Sequence, residues 1–438
     1  MGRNGHGIRF GRAIARARAT FARMRLDQRD SYAKGMDAVV TGVERDGDAV
    51  WVMLDASVFY PTAGGQVHDV GVLQLAGGEA RVVDVAVGKA SGGVVRHRVE
   101  GAQPEVGDAV HGEIDWNRRY RHMQRHSAQH LVSQAFLHVN AAFETRSVSL
   151  ASPEVTIDFA GDPGDEDLAA AFDLARTWAY EDLEIRAFEL DDADLGAYPL
   201  RRPPKVQGRI RLVQMGDVEI AACGGTHLAR TAEMLPLLAV GRQRIRGDLT
   251  RVSFLAGWEA HALAQSVLEN VDALARSFSA GREDVPARLD ALRSELQAVR
   301  FAHVRALSAW AEARVGGLAA QVNDGVLHLR VDAPEGTSVR DALAAMAEAA
   351  SKLRPDVVTI LGAVEEARAT VLVQVGAERV GVNARTVLKE ALDVIEGRGG
   401  GKPDRAQGSG SDASQLDAAL DAAAREAAEQ VASPPQDG

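Results

Sequence analysis

"RHMQRHSAQHLVSQAFLHV", residues 121–139, is the stretch from which the organisation of the chain can be worked out. Its apolar residues recur at three- and four-residue spacing, which predicts a helix with one apolar face. His126 and His130 are four residues apart in this helix, so their rings project from the same face. One such histidine alone would usually be a surface or core residue. Two imidazoles one turn apart are instead a pair of candidate metal ligands.

The only cysteine of the chain supplies a counterpart to this pair. In "AACGGTHLAR", residues 221–230, Cys223 stands four positions before His227, with two glycines between them. A single cysteine cannot form an internal disulfide, so the alternative to a metal ligand is a buried, inert thiol. The two pairs together offer three imidazoles and a thiolate, a donor set that suits Zn²⁺. Ser127 follows His126, so the HExxH arrangement of zinc proteases is absent.

The composition is that of an acidic globular protein. The chain has 438 residues, 46% of them hydrophobic, and a net charge of -11, and this length predicts about two to four domains. No apolar run approaches the ~20 residues of a membrane-spanning helix, so we expect a cytoplasmic protein with no membrane role. The net charge argues against indiscriminate nucleic-acid binding. Three arginine-rich clusters could still form local basic surfaces: Arg118, Arg119, Arg121 and Arg125; Arg201, Arg202 and Lys205; and Arg242, Arg244 and Arg246.

Changes in the residue pattern divide the chain into six segments and predict an α+β fold. Short β-runs separated by turn residues are typical of a small barrel. Alternating strand and helix patterns near the C-terminus indicate a compact α/β domain, which we expect to be closed by a glycine-rich loop, "GRGGGKPDRAQGSGSD" at 397–412. The predicted segments are a disordered arginine-rich extension (1–25), the barrel (26–115), an α/β core with the metal ligands (116–257), a helical hairpin or coiled-coil connector (258–315), the α/β domain (316–410), and a helical, then disordered, tail (411–438).

Three motifs together resemble one family. In the barrel, "FYPTAGGQVHDVG" at 59–71 resembles a Pro-x-x-Gly-Gly-Gln-x-x-Asp signature. The four candidate metal ligands match the zinc positions of the same family, and "GRGGGKPDRAQG" at 397–408 resembles the glycine-rich signature of its DHHA1 domain. The chain is therefore similar to the free-standing alanyl-tRNA editing proteins of the AlaX family, in their long form, and to the editing half of alanyl-tRNA synthetase. The resemblance runs from about residue 27 to residue 410.

This resemblance implies a core of the threonyl/alanyl-tRNA synthetase second-additional-domain type and a zinc-dependent aminoacyl-tRNA deacylase. The implied reaction is hydrolysis of the ester that joins a wrong amino acid to the 3′ adenosine of tRNA(Ala). Serine is the principal wrong amino acid and glycine the second. One zinc ion per chain is implied, and no catalytic residue is identified beyond a water held by the zinc. The partner is tRNA(Ala), and the resemblance allows a homodimer through the helical or the DHHA1 region.

The resemblance also implies roles for individual residues. Thr145, in "TRSVSL" at 145–150, corresponds to the threonine that recognises the serine hydroxyl, with Ser147 as a weaker neighbour. Gly64 and Gly65 would let backbone amides approach the substrate, or would simply form a hairpin turn, and Gln66 would be a polar substrate contact. The implied tRNA-binding residues of the DHHA1 signature are Gly399, Gly400, Gly401, Lys402, Arg405 and Gln407.

Other functions are compatible with part of the sequence. If four ligands close around zinc, the site is structural and the chain is a non-catalytic tRNA-binding protein. A zinc amidase or peptidase fits the ligands but leaves the barrel and the glycine-rich motif unexplained. Threonyl-tRNA editing shares the core but not the DHHA1 signature. We expect no aminoacylation activity, because nothing ahead of the barrel resembles an ATP-binding half.

Overall fold

The computed structural model describes residues 25–88, 94–204, 207–245, 247–318 and 321–433. The predicted disorder of residues 1–24 and of the last residues, together with Lys205 and Arg246, lies outside these ranges. The fold is mixed α+β, as the sequence predicts. It divides into two compact units, of which the first ends at Ala273 and the second begins at Leu274. The finer division into six segments stays a prediction. Within the described ranges, no helix is long and apolar enough to cross a membrane.

The first unit starts with a closed antiparallel barrel, which confirms the predicted barrel. A short helix, α1 (Leu26–Arg29), precedes it, and the strands follow one another around the barrel in the order β1-β2-β5-β4-β3-β6. Alternate residues of β2 face the interior and are buried, as in a half-buried strand. The strands are β1 (Gly35–Asp46), β2 (Ala49–Leu54), β3 (Gly71–Leu75), β4 (Gly78–Val87), β5 (Val95–Gly101) and β6 (Ala109–Ile114).

A long helix and two antiparallel sheets make up the rest of the first unit. The helix α2 follows the barrel directly, because Asp115 after β6 caps it by accepting a hydrogen bond from the Arg118 amide. The four-stranded sheet has the order β12-β13-β8-β7, and the three-stranded sheet the order β11-β10-β9. The elements are α2 (Trp116–Val139), β7 (Thr145–Ser149), β8 (Val155–Ala160), α3 (Asp165–Tyr180), β9 (Ile185–Asp191), β10 (Arg209–Met215), β11 (Glu219–Ala222), β12 (Leu237–Ile245) and β13 (Leu249–Ala256).

The apolar face of α2 is the centre of this second layer. Leu131, Ala135 and Phe136, which the sequence places on one face, are fully buried. Phe136 stacks on Phe159 of β8 with ring centroids 4.2 Å apart. The helix is therefore held against the four-stranded sheet on its apolar side, which leaves its other faces for the barrel and for the functional side chains.

A buried ion pair joins the barrel to α2. Arg119 of α2 and Asp69 of the barrel loop are both fully buried, and the Arg119 Nε atom lies 3.1 Å and 3.0 Å from the two carboxylate oxygens. Arg119 also donates to the carbonyl oxygens of Ser31 and Val58, at 2.9 Å and 2.6 Å. The Tyr60 amide donates to Asp69 at 2.7 Å. The charges of Arg119 and Asp69 are therefore paired with each other, and this contact fixes the loop of residues 59–70 in one position on α2.

The second unit is an α/β domain built on one five-stranded sheet of order β14-β15-β16-β18-β17, in which only β14 and β15 are parallel. Helix α6 packs on one face and helices α7 and α8 pack on the other. Helix α4 (Trp258–Ser277) begins in the first unit, which ends at Ala273. The elements of the second unit are α5 (Val285–Gly316), β14 (Val326–Arg330), α6 (Val339–Leu353), β15 (Val358–Glu365), β16 (Arg368–Val375), α7 (Ala384–Val394), β17 (Gly397–Gly401), β18 (Arg405–Gly410) and α8 (Leu416–Ala432).

Two features of this unit differ from the sequence analysis. The glycine-rich segment that was expected to be a loop is the antiparallel hairpin β17–β18. Its glycines are needed for packing, since a Cβ at Gly408 would overlap Leu392 of α7. The C-terminal helix is not a separate tail, because Leu416 and Leu420 of α8 are buried in the core beneath Gly362. Helices α4 and α5 are both present, while their pairing as a hairpin and a homodimer stay predictions.

The Arg119–Asp69 pair predicts a large loss of stability when one partner is removed. Arg119→Met leaves the Asp69 carboxylate buried without its cation, and we expect a loss of about 3–5 kcal/mol in the free energy of unfolding. Urea titration followed by tryptophan fluorescence measures it. Arg81→Met is the control, because Arg81 forms an exposed pair with Glu100 that contributes little. Equal stability of Arg119→Met and Arg81→Met would contradict the conclusion that the Arg119–Asp69 pair is essential to the fold.

Candidate metal centre

The structure brings together the four side chains that the sequence predicts as metal ligands. His126 and His130 lie one turn apart on α2, and Cys223 and His227 lie on the turn that follows β11. Their ligand atoms are all within 4.8 Å of one another. The Cys223 Sγ atom is 3.4 Å from His126 Nε2 and 3.3 Å from His227 Nε2. Nitrogen and sulfur ligands of a tetrahedral zinc ion are about 3.6 Å apart, so the arrangement fits zinc.

Each histidine of the cluster has a hydrogen-bond partner on its Nδ1 atom. Such a partner sets the ring orientation and leaves Nε2 available to a metal ion. The three contacts are Gln66 Oε1 to His126 at 2.8 Å, Glu219 Oε1 to His130 at 3.3 Å, and Ser127 Oγ to His227 at 3.2 Å. A carboxylate, an amide and a hydroxyl from three different elements therefore support the ligands.

The charges of the cluster favour metal binding. Burial by itself would raise the pKa of the Cys223 thiol, but the imidazoles of His126 and His227 hold this pKa well below its usual value. Burial, together with the neighbouring imidazole of His126, lowers the pKa of His227 to about 3. Burial would also lower the pKa of His130, but hydrogen bonds with Cys223 and Glu219 raise it to about 9. The thiolate and the neutral His227 are ready to coordinate a cation, while His130 must release a proton to do so.

Gln66 has a different role from the one that the sequence suggests. It is fully buried, and its Oε1 atom accepts from His126 while its Nε2 atom donates to Thr226 Oγ1 at 2.8 Å. Both ends of the amide are thus occupied within the protein, so Gln66 orients His126 instead of contacting a substrate. Gly225 makes this possible, since a Cβ there would overlap the His126 ring.

A cavity of about 540 Å³, which we call the ligand cavity, opens beside the cluster. Its lining includes His126, His130 and Cys223, together with Thr145 and the glycine pair Gly64–Gly65. The glycines occupy the two central positions of a tight turn closed by Ala63 and Gln66, and both have positive φ angles. The glycine pair therefore forms a tight turn and also lines the cavity, while its approach to a substrate stays a prediction.

The two candidate specificity residues differ in their surroundings. Thr145 is buried and its Oγ1 atom accepts from Arg201 at 3.3 Å. Ser147 also lines the ligand cavity, but its hydroxyl donates to Asp158, whose carboxylate is paired with Arg251. The Ser147 hydroxyl is thereby occupied, whereas the Thr145 hydroxyl retains its proton for a further contact. This difference makes Thr145 the better candidate.

A second cavity, of about 780 Å³, lies in the C-terminal unit, and we call it the arginine cavity. Three guanidinium groups line it, from Arg340 of α6, Arg368 of β16 and Arg398 of β17. None of them has an ion pair or hydrogen-bond partner among the described residues. Thr370, Gln407 and Ser409 also line the cavity, as do the carboxylates of Glu365 and Glu366.

Only part of the predicted tRNA-binding set lies at the arginine cavity. Gln407 lines it, whereas Lys402 and Arg405 close the far end of the β17–β18 hairpin. A side chain at Gly399 or Gly401 would overlap the neighbouring strand, while Gly400 has open space above it. Sequence reasoning missed Arg340 and Arg368, because no motif links them to the glycine-rich segment.

Comparison with known proteins gives three family models that match the chain. They are the DHHA1 domain at residues 323–429, tRNA synthetases class II (A) at 32–118, and the threonyl and alanyl tRNA synthetase second additional domain at 210–252. The C-Ala domain of alanyl-tRNA synthetase from Aquifex aeolicus aligns with 24% of this chain and 90% of its own, at 20% identity. Its TM-score of 0.21 is too low to support a comparison of folds.

Alanine–tRNA ligases are similar to the chain over most of its length. Those of Parafrankia sp. and Frankia alni are each 32% identical to it, over 85% and 92% of this chain and 43% and 47% of the ligases. The ligase of Thermobifida fusca is 32% identical over 87% of this chain and 44% of its own length. The chain thus spans less than half the length of these relatives.

The contact between Gln66 and His126 predicts an effect on metal affinity. Gln66→Leu removes the acceptor from His126 Nδ1, and loss of such a partner costs about 10- to 100-fold in metal affinity. Competition with a chromophoric zinc chelator at fixed pH measures the change. Gln129→Leu is the matched control, since Gln129 is a buried glutamine on the ligand-bearing helix α2 that donates to Ser133 of the same helix and contacts none of the metal ligands through its amide. Parent-like affinity of Gln66→Leu would show that this contact does not support the ligand.

Proposed function

The chain is a relative of the alanine–tRNA ligases and carries a second additional domain and a DHHA1 domain, and from this relationship we propose that it is an editing hydrolase. Its substrate is tRNA(Ala) that carries a wrong amino acid, serine first and glycine second. The reaction is hydrolysis of the ester to the 3′ adenosine. The observation that carries the proposal is the His126–His130–Cys223–His227 cluster, which opens on a cavity that also contains Thr145.

The residues present suit ester hydrolysis. A zinc ion bound by the cluster would supply a Lewis acid to polarise the ester carbonyl. The Gly64–Gly65 turn has no side chains, so the 3′ adenosine and its ester can come close to the backbone at the cavity wall. Arg146 and Arg202 line the same cavity and offer positive charge to the phosphates of the RNA end. An ester needs less activation than an amide, so positioning contributes a large part of the rate.

The selectivity problem favours Thr145 as the discriminating residue. Editing must accept serine and spare alanine, and alanine is the smaller side chain, so a size limit cannot separate them. A site that hydrogen-bonds a hydroxyl can reject its absence by as much as ~10⁴-fold. Thr145 is buried beside the metal ligands and has a hydroxyl that can meet this requirement.

A non-catalytic tRNA-binding protein with a structural zinc is the alternative. A structural zinc site is closed by its protein ligands and has no need of an adjoining cavity. Here His126, His130 and Cys223 all line the ligand cavity, and Cys223 is only partly buried. These features favour an enzyme.

We propose that the C-terminal unit binds the body of tRNA(Ala) through the arginine cavity. Three guanidinium groups from separate elements, without ion pairs in the described part of the chain, line this cavity together with hydroxyl and amide side chains and the carboxylates of Glu365 and Glu366. Arginine is the residue that best matches phosphate geometry. In a chain of net charge -11, such a concentration of free cations favours binding of a polyanion.

The proposed function is tested by hydrolysis of Ser-, Gly- and Ala-tRNA(Ala). We expect the parent protein to deacylate the seryl and glycyl forms and to spare the alanyl form. Thr145→Val keeps the side-chain shape and removes the hydroxyl, so its preference for the seryl over the alanyl form should collapse while its zinc content is unchanged. Glycine has no hydroxyl to recognise, so Gly-tRNA(Ala) hydrolysis should change little.

Ser147→Ala is the control for this substitution, because Ser147 lines the same cavity with a hydroxyl that is already bonded to Asp158. A parent protein that protects all three esters would leave the binding protein as the correct alternative. If Thr145→Val hydrolyses the seryl and alanyl forms at the same ratio of rates as the parent, Thr145 is not the residue that discriminates between them.

The arginine cavity predicts a defined change in salt dependence. Arg398→Gln should weaken binding of uncharged tRNA(Ala) and reduce the slope of log K against log salt by about one. Titrations at several salt concentrations measure this slope. Arg425→Gln is the control, because Arg425 is exposed on α8, which packs on the opposite face of the sheet. Equal slopes for the two variants would place the RNA contact elsewhere.

A further inference from the structure

We propose that Arg201 is a positioning residue that makes the Thr145 hydroxyl a hydrogen-bond donor and thereby sets the choice between seryl and alanyl substrates. This inference rests on the proposed editing function. The sequence places Arg201 and Arg202 in one basic cluster that could form a local basic surface. The structure gives the two arginines different surroundings, and only Arg201 is held inside the protein.

Arg201 lies between β9 and β10 and bridges two functional side chains. Its Nη2 atom is 3.1 Å from Glu219 Oε1, and its Nη1 atom donates to Thr145 Oγ1 at 3.3 Å. The side chain of Arg201 is 15% exposed and that of Glu219 is 2% exposed. An ion pair this deeply buried holds the guanidinium in place and leaves it a poor contact for a mobile phosphate. Arg202, which is exposed, keeps the phosphate role.

The contact with Arg201 determines what the Thr145 hydroxyl can offer. A guanidinium has five N–H donors and no acceptor, so the Thr145 oxygen must accept this bond. A hydroxyl has one proton, which then has to point away from Arg201. No residue in the described ranges accepts that proton. Thr145 therefore presents a donor to whatever occupies the ligand cavity.

A fixed donor explains why serine and alanine are treated differently. The serine hydroxyl can accept the Thr145 proton, which satisfies both groups. Alanine offers no acceptor, and its methyl group fills the space that a water would need, so the alanyl substrate leaves a buried O–H unpaired and is disfavoured. Glycine lacks that methyl group and leaves room for a water that accepts the Thr145 proton. Without Arg201, the Thr145 hydroxyl could rotate and satisfy itself elsewhere, so this penalty against alanine would be lost.

Arg201 also connects the specificity residue to the metal centre. The Glu219 oxygen that accepts from Arg201 is the one that contacts His130 Nδ1. Thr145, Arg201, Glu219 and His130 thus form a continuous chain of hydrogen bonds. The planar guanidinium spans its two acceptors in a fixed geometry that a lysine ammonium cannot reproduce. The chain sets the position of the Thr145 hydroxyl relative to the metal ligands.

The test compares Arg201→Met and Arg201→Lys with Thr145→Val and the Arg201→Met/Thr145→Val double variant. Zinc content and kcat/KM are measured for Ser-, Ala- and Gly-tRNA(Ala). We expect both Arg201 variants to hold one zinc ion per chain and to lose about tenfold or more in the seryl-to-alanyl ratio. Glycyl hydrolysis should change much less, and the double variant should lose no more selectivity than Thr145→Val, because the two residues act as one unit.

Arg202→Met is the control, since Arg202 is the adjacent arginine and lines the ligand cavity. This variant should lower kcat/KM for all three substrates by a similar factor and leave the seryl-to-alanyl ratio of kcat/KM unchanged. A parent-like ratio in Arg201→Lys would overturn the proposal. So would an equal loss for seryl, alanyl and glycyl substrates in Arg201→Met, which would indicate a general structural role.

Binding of non-hydrolysable analogues separates this proposal from the editing function itself. Calorimetry with 3′-serylamino- and 3′-alanylamino-adenosine does not require turnover. A parent that hydrolyses none of the three substrates contradicts the editing function, while a parent preference for the seryl analogue that disappears in Arg201→Met still supports the role of Arg201. Equal binding of the two analogues by the parent, or an unchanged preference in Arg201→Met, overturns it.

Discussion

The buried ion pair between Arg119 and Asp69 is the interaction on which the candidate site depends. Both side chains are removed from water, and breaking such a pair costs more than its net contribution to stability. The main effect of this ion pair is therefore to fix the barrel loop in one position on α2. Gln66 precedes Asp69 by three residues, and His126 follows Arg119 by two turns of the helix. Docking the loop thus places the Gln66 amide against the His126 ring.

The candidate metal centre is built from segments that lie far apart in the sequence. Two ligands come from α2, two come from the turn after β11, and their supporting partners come from the barrel loop, from α2 itself and from β11. Glu219 links the centre outward to Arg201 and Thr145. The same set of contacts therefore orients the ligands and positions the side chain that we propose reads the substrate.

The sequence predicts those features of the fold that depend on local residue patterns. Helical periodicity placed His126 and His130 on one face, and short β-runs predicted the barrel. It could not reach contacts between distant segments: Gln66 meets His126 and Thr226 across 60 and 160 residues, and Arg201 meets Thr145 across 56. The β17–β18 hairpin was expected to be a loop because glycines carry no alternating side chains. Its pairing comes from the neighbouring strand and from α7, which no local pattern reveals.

X-ray absorption at the zinc edge tests the central claim most directly, because the proposed editing chemistry requires one metal ion that is held by the His–Cys cluster and still has a position open to the substrate. For protein loaded with zinc and freed of excess metal, we expect about one ion per chain. The expected ligand shell has one sulfur at about 2.3 Å, imidazole nitrogens at about 2.0 Å and one water oxygen, because a catalytic zinc keeps a position open for water or substrate whereas a structural zinc is closed by its four protein ligands. A shell without sulfur, or a protein that retains no zinc, would contradict the account.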